Sequence, residues 1–233
     1  MKIGILETDI VDDKVIDEFG SYPDMFRKLL LTVDKQLSFQ AYRVLDFEYP
    51  LFIDECDAYL ITGSKFNAYD NDPWIGRLKE YVVELVDRRK KLIGICFGHQ
   101  LIAQALTGQV EKSEKGWGVG VYSSHVIGHE KWMLPAINDF TLLLSHQDQI
   151  VKLPDSAKLI AGNEFCPNAS YMISDSVLTF QGHPEFTVDY LKYIMNKRRA
   201  NIGEQEYQKG IRSLSEAVDS KEVAKWIVNF IKN

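Results

Sequence analysis

With 233 residues, 45% apolar and 26% charged, the chain has the make-up of a soluble globular protein, long enough for one α/β domain spanning residues 1–233. A net charge of −6 disfavours nucleic acid as a partner, and three cysteines with no C-x-x-C pair give neither a zinc site nor a disulfide framework, so no metal is expected. The apolar run in MKIGILET is too short for a signal peptide, and no segment reaches the ~18–20 apolar residues of a membrane span, so a cytoplasmic location without membrane contact is expected.

Lys2–Glu7 reads as the first strand. Residues 9–24 are acidic and carry Gly20 and Pro23, which suits a surface loop, and Phe26, Leu29, Leu30 and Val33 then mark an amphipathic helix. Phe39–Phe47 alternates as a second strand. Ala58–Ile61 is a third, and it runs into Thr62-Gly63-Ser64. Asp72 before Pro73 has the form of an N-cap with proline at the first helical position, and Ile75, Leu78, Val82, Leu85 and Val86 give that helix its apolar face.

The next stretch, Lys91–Gly108, is the most informative. Leu92–Ile95 is a short apolar run suited to a buried strand, the chain turns at Cys96-Phe97-Gly98, and Leu101, Ile102, Ala105 and Leu106 recur at helical spacing from His99 onward until Gly108. Cys96 therefore sits at a strand-to-helix corner, with Gly94 and Gly98 expected to let the backbone bend. A thiol there projects beyond the sheet, where turn amides can face the atom under attack and the helix N-terminus favours a thiolate. By the local pattern alone Cys96 is equally a small buried hydrophobe.

Strands alternating with helices at these intervals predict an α/β fold: a mostly parallel central sheet flanked by helices. Ligands then bind beyond the carboxyl ends of the strands. Thr62-Gly63-Ser64 and Cys96-Phe97-Gly98 both lie there, and if their strands are neighbours the Gly63 and Phe97 amides can face one carbonyl oxygen. Alone, Thr62-Gly63-Ser64 is also an ordinary strand-ending turn.

The second half changes character. Glu111–Gly128 suggests a hairpin or meander, and Phe140–Leu144, Lys158–Ala161 and Tyr171–Ile173 are further short strands, together forming a small antiparallel layer on one edge of the main sheet. Val223, Trp226, Ile227, Phe230 and Ile231 give a C-terminal helix a strong apolar stripe. Arg88-Arg89-Lys90-Lys91 is a solvated helix end.

Partners for Cys96 come late. Val177–Phe180 reads as a strand, with His183 and Glu185 beyond its end. Residues two apart in an extended segment point the same way, and Pro184 keeps the segment extended. The carboxylate can orient the imidazole, and the imidazole can deprotonate a thiol. Of the five histidines, only His183 ends an apolar strand with a carboxylate two residues on.

TGS around Gly63, GICFGHQ around Cys96, SHQD at Ser145–Asp148 and GHPE at Gly182–Glu185, in this order, resemble a class I glutamine amidotransferase domain from the first strand to about residue 200. TGSKFNAYDNDPWI and Lys115-Gly116-Trp117 are similar to its stand-alone members, including those like the GMP synthase glutaminase domain and the plant γ-glutamyl peptidases. The resemblance implies a flavodoxin-like sheet and a cysteine hydrolase of catalytic triad Cys96, His183 and Glu185. Gly63 and Phe97 supply the oxyanion amides, and no cofactor is needed. Gln100, Ser145 and His146 would hold the substrate. It implies attack on the γ-carbonyl of glutamine through a γ-glutamyl thioester, with release of ammonia to a separate synthase subunit. A γ-glutamyl peptide or conjugate hydrolase is the alternative, and a non-catalytic binding module a third. Two departures stand out: Gly108-Gln109 where the family has Gly-Gly, and Gly182 where many relatives have Phe, which predicts a looser turn or a larger pocket.

Overall fold

The computed structural model describes residues 1–233. Apolar runs too short for helices form the middle of its main sheet. β1 (Lys2–Glu7) is followed by a short helix α1 (Ile16–Phe19), α2 (Tyr22–Leu31), β2 (Ser38–Arg43), β3 (Ala58–Ile61), α3 (Pro73–Asp87), β4 (Lys91–Ile95) and α4 (Phe97–Ala105). Then come β5 (Gln109–Lys112), β6 (Gly118–Val126), β7 (Asp139–His146), β8 (Asp148–Lys152), β9 (Ala157–Gly162), β10 (Ser170–Ile173) and β11 (Val177–Phe180). Four helices close the chain: α5 (Val188–Lys197), α6 (Arg199–Ile202), α7 (Glu204–Ser213) and α8 (Ser220–Lys232).

Nine strands form one sheet in the order β2-β1-β3-β4-β11-β10-β9-β6-β7. β2, β1, β3, β4 and β11 run parallel, and β10, β9, β6 and β7 continue the same sheet antiparallel. β3 and β11 are buried along their whole length, as parallel strands covered on both faces must be. Period-two alternation divides the core. Ile3, Ile5, Leu60, Ile93 and Leu178 face α2 and α8, whereas Leu6, Tyr59, Ile61 and Leu92 face α3 and α4. A third apolar cluster packs α5 and Tyr207 of α7 against Val119, Val121 and Leu143 of β6 and β7. No helix is long and apolar enough to cross a membrane.

The expected fold class holds, with local corrections. Residues 9–24 are not a plain surface loop: Asp9, Val11, Tyr22 and Pro23 are buried, and α2 opens on a capping box of Ser21 and Asp24. The second strand stops at Arg43, because Val44–Asp46 is a 3₁₀ turn and Phe47 adopts φ 60°. No hairpin forms within 111–128. β5 pairs instead with β8, which the sequence did not suggest, in a separate two-stranded antiparallel sheet, while β6 joins the main sheet.

The α8 stripe is core. Trp226 is fully buried, stands edge-on to Phe140 and Trp132, and donates its indole N–H to Pro135 O at 2.8 Å. Trp226→Ala is expected to lower unfolding stability by about 3–5 kcal/mol in urea denaturation, the cost of a large unfilled cavity.

Candidate active site

The carboxyl ends of β1, β3, β4 and β11 lie side by side, and each delivers one part of the site. At the tip of β4, Cys96 takes φ 50° and ψ −99°, a strained conformation for a residue with a side chain. It is also the N-cap of α4, and its own backbone is fixed by Cys96 N–H donating to Phe180 O (2.8 Å) and Gln100 N–H donating to Cys96 O (3.1 Å). The bend is thus made by Cys96, and the flanking glycines serve close packing instead. A Cβ on Gly98 would lie 2.6 Å from Ile61 O, and one on Gly94 would lie 2.6 Å from Ile102 Cδ1. The helix begins at Phe97, two residues earlier than its spacing predicts, which leaves the Phe97 amide among the unpaired donors of the first turn.

Beyond β11, His183 Nδ1 lies 2.7 Å from Glu185 Oε1, and both side chains are buried. Phe186 stacks on the imidazole at 3.9 Å between ring centroids and 7° between planes, and Tyr190 and Tyr22 back it. Gly63 packs against both the imidazole and Cys96: a Cβ there would lie 2.7 Å from His183 Cε1 and 3.6 Å from Cys96 Cβ. Only glycine lets the imidazole approach the β3 loop so closely. Neither the Gly63 nor the Phe97 amide donates to a backbone acceptor within the protein.

Burial alone would lower the pKa of His183, but the Glu185 carboxylate and the Cys96 sulfur beside it overcome that effect and raise it to about 10. The imidazole therefore carries its proton at neutral pH. Two other histidines behave oppositely. Burial, with His146 nearby, lowers His99 to about 3, and burial lowers His146 to about 4, so both stay neutral. Burial also pushes the Cys166 thiol up to about 12, which keeps that cysteine protonated.

Cys96, Gln100, Ser145 and His146 line one open, mostly polar pocket of about 350 Å³. Gly63 and His183 line a narrow cleft that shares Ser64, Ser145 and Arg198 with it. The ends of β7 and of β11 meet because His183 N–H donates to Leu143 O at 2.9 Å. Gly182 does not enlarge the pocket. A Cβ there would lie 2.8 Å from Leu142 Cβ, so glycine is needed to seat the turn against β7. The Gln100 amide nitrogen is committed inside the protein, donating to Asp148 O (2.7 Å) and Gln181 Oε1 (3.0 Å), which leaves its carbonyl for a ligand. His146 Nδ1 lies 3.1 Å from Asp148 O, while its Nε2 is buried without a partner.

Sequence reading missed the cationic wall of this pocket. Arg198, at the end of α5, donates to Ser145 Oγ (3.1 Å) and sits over Trp117, and neither it nor Lys112 pairs with a carboxylate. Lys65 also lines the pocket, but its ammonium is held by Asp9 at 2.9 Å. The only available signal was the basic run Lys197-Arg198-Arg199 closing an amphipathic helix. No group of three or more His, Cys, Asp or Glu side chains is arranged to hold a metal ion.

This architecture, a strained cysteine at a strand-to-helix corner of a half-parallel sheet with a buried imidazole–carboxylate pair one strand away, has counterparts among known proteins. The family model "Glutamine amidotransferase class-I" matches residues 15–197. The chain belongs to the class I glutamine amidotransferase family. It is 32% identical over 186 residues to γ-glutamyl peptidase 4 of Arabidopsis thaliana, covering 77% of this chain and 73% of that one. It is 29% identical over 202 residues to the glutamine-hydrolysing GMP synthase of Azoarcus sp. strain BH72, covering 71% of this chain but 36% of that protein. The crystal structure of a glutamine amidotransferase from Thermotoga maritima superposes with a TM-score of 0.74 at 17% identity, covering 99% of this chain and 95% of that one.

The raised His183 pKa has a direct kinetic consequence. If the imidazolium supplies a proton, kcat/KM should stay high through neutral pH and fall only as pH rises through about 10. Glu185→Gln removes the charge that holds the proton on, so the alkaline limb is expected to move to lower pH in a pH–rate profile of the folded variant.

Proposed function

We propose that the chain is a cysteine hydrolase that cleaves the γ-carbonyl–nitrogen bond of γ-glutamyl compounds through a γ-glutamyl thioester. The observation that carries this reading is the strained Cys96 beside the buried His183–Glu185 pair, with Gly63 packed against both. Cys96 as thiolate attacks the γ-carbonyl carbon, and the carbonyl electron pair moves onto oxygen. The Gly63 and Phe97 amides receive that oxyanion, each worth about 3–4 kcal/mol when well placed. As the intermediate collapses, the carbon–nitrogen bond breaks and the His183 imidazolium gives its proton to the departing nitrogen. Neutral His183 then takes a proton from water, the hydroxide equivalent attacks the thioester, and glutamate leaves with the thiolate and imidazolium restored.

The pocket supports an amide larger than that of free glutamine. Gln100 through its carbonyl, Ser145 and His146, which line the pocket, would take the α-amino and α-carboxylate groups. Arg198 and Lys112 offer two cations without carboxylate partners, enough for the second carboxylate of a γ-glutamyl dipeptide. A glutaminase that passes ammonia to a separate synthase subunit is the competing reading, supported by the likeness to GMP synthase.

The test offers the purified chain γ-glutamylalanine and glutamine side by side, with Cys96→Ser as the blank. The dipeptide is expected to be hydrolysed with the higher kcat/KM. Arg198→Met should raise KM for the dipeptide about tenfold, the loss of one charge-assisted hydrogen bond, with a smaller effect on glutamine. Ammonia from glutamine with the dipeptide untouched would favour the synthase-linked reading, and a Cys96→Ser protein as active as wild type would end both.

A further inference from the structure

The peptide that carries the Gly63 amide is held by its other end. Across a planar trans peptide the Thr62 carbonyl and the Gly63 N–H point in opposite directions, so whatever fixes one aims the other. Thr62 O accepts from Gly98 N–H at 3.2 Å, and the Thr8 hydroxyl lies 3.1 Å away from it. The same hydroxyl is 3.0 Å from Gly63 O and 2.9 Å from the Thr62 hydroxyl, which in turn accepts Thr8 N–H at 3.0 Å. Each hydroxyl has one proton, and the chain of donors Thr8 N–H to Thr62 Oγ1, Thr62 Oγ1 to Thr8 Oγ1, and Thr8 Oγ1 to the loop carbonyls uses both. Thr8 and Thr62 are fully buried, so water does not stand in for either.

The next residues are fastened to β1 as well. Ser64 Oγ donates to Thr8 O at 2.7 Å and accepts from Phe66 N–H at 3.2 Å. The buried Asp9 carboxylate accepts Lys65 N–H on one oxygen (3.0 Å) and the Lys65 ammonium on the other (2.9 Å). Turning the Thr62–Gly63 peptide over would take the Thr62 carbonyl away from Gly98 N–H and the Thr8 hydroxyl together and turn the Gly63 N–H, a third donor, towards them.

We infer that Thr8 and Asp9, at the end of β1, are positioning residues that keep the Gly63 amide aimed at the oxyanion in the isolated chain, which makes the hydrolase independent of any partner protein. This rests on the proposed thioester chemistry. An amidotransferase subunit that waits for its synthase needs a loop free to reorganise, and this loop is tied at four consecutive residues.

The test compares wild type, Thr8→Val, Thr8→Ser and Asp9→Asn on γ-glutamylalanine, with melting temperatures measured alongside. Wild type alone should turn over. Thr8→Val, isosteric but without the hydroxyl, is expected to lose roughly 10- to 100-fold in kcat, approaching the loss of one oxyanion donor, with KM changed less than twofold. Thr8→Ser should recover most of that rate. Should Thr8→Val fail to fold, Asp9→Asn is read by the same split of kcat from KM. A folded Thr8→Val with wild-type kcat would overturn the inference while leaving the hydrolase reading intact. A wild type that hydrolyses the dipeptide only when a second protein is added would also overturn it. A wild type and Cys96→Ser equally silent under every condition would instead remove the chemistry on which it rests.

Discussion

A cysteine held at φ 50° and ψ −99° on the tip of a central strand is the constraint on which the rest of this molecule depends. Such a backbone costs on the order of 1–3 kcal/mol and persists only where its surroundings over-determine it. Here they do. β4 is flanked by the buried parallel strands β3 and β11, and β11 accepts the Cys96 amide through Phe180 O. Gly94 and Gly98 let Ile102 and Ile61 close in around the corner at distances that no side chain would permit. The same corner brings Cys96 to the wall of the pocket.

Function follows from which strands are neighbours. The order β1-β3-β4-β11 gathers four loops distant in sequence, carrying Thr8 and Asp9, Gly63, Cys96, and His183 with Glu185. Each has a separate physical task. In the proposed reaction one fastens, one donates, one attacks and one moves a proton. The antiparallel half of the sheet completes the site by bending back until Leu143 bonds His183, and Ser145 and His146 line the pocket that Cys96 also lines. Electrostatics then separate the histidines: a carboxylate partner keeps the proton on His183, and burial without one keeps it off His99 and His146.

Much of this was legible in the residues because it rests on local pattern. The short apolar runs of β1, β3, β4 and β11, the Cys96 corner, and the two-residue spacing of His183 and Glu185 are all written within stretches of ten residues or fewer. What stayed hidden depends on contacts across the chain. Nothing in Glu111–Gly128 says that β5 leaves β6 for β8. Sequence alone makes hinges of Gly94 and Gly98, because it cannot show that an Ile61 carbonyl lies 2.6 Å from where a Cβ on Gly98 would stand. The acidic residues 9–24 suit a surface loop by composition alone, whereas in the fold Lys65 pairs with the buried Asp9 from 56 positions away. Arg198 was passed over for the same reason, since its meaning comes from Ser145 and Trp117.

The central claim is that substrate carbon becomes bonded to Cys96. Rapid acid quenching of the enzyme during turnover of γ-glutamylalanine, followed by peptide mass spectrometry, tests it most directly. A γ-glutamyl adduct is expected on the peptide containing Cys96, discharged by hydroxylamine as a thioester is. Turnover that leaves Cys96 unmodified at every quench time, or an adduct on Cys56 or Cys166 instead, would contradict it.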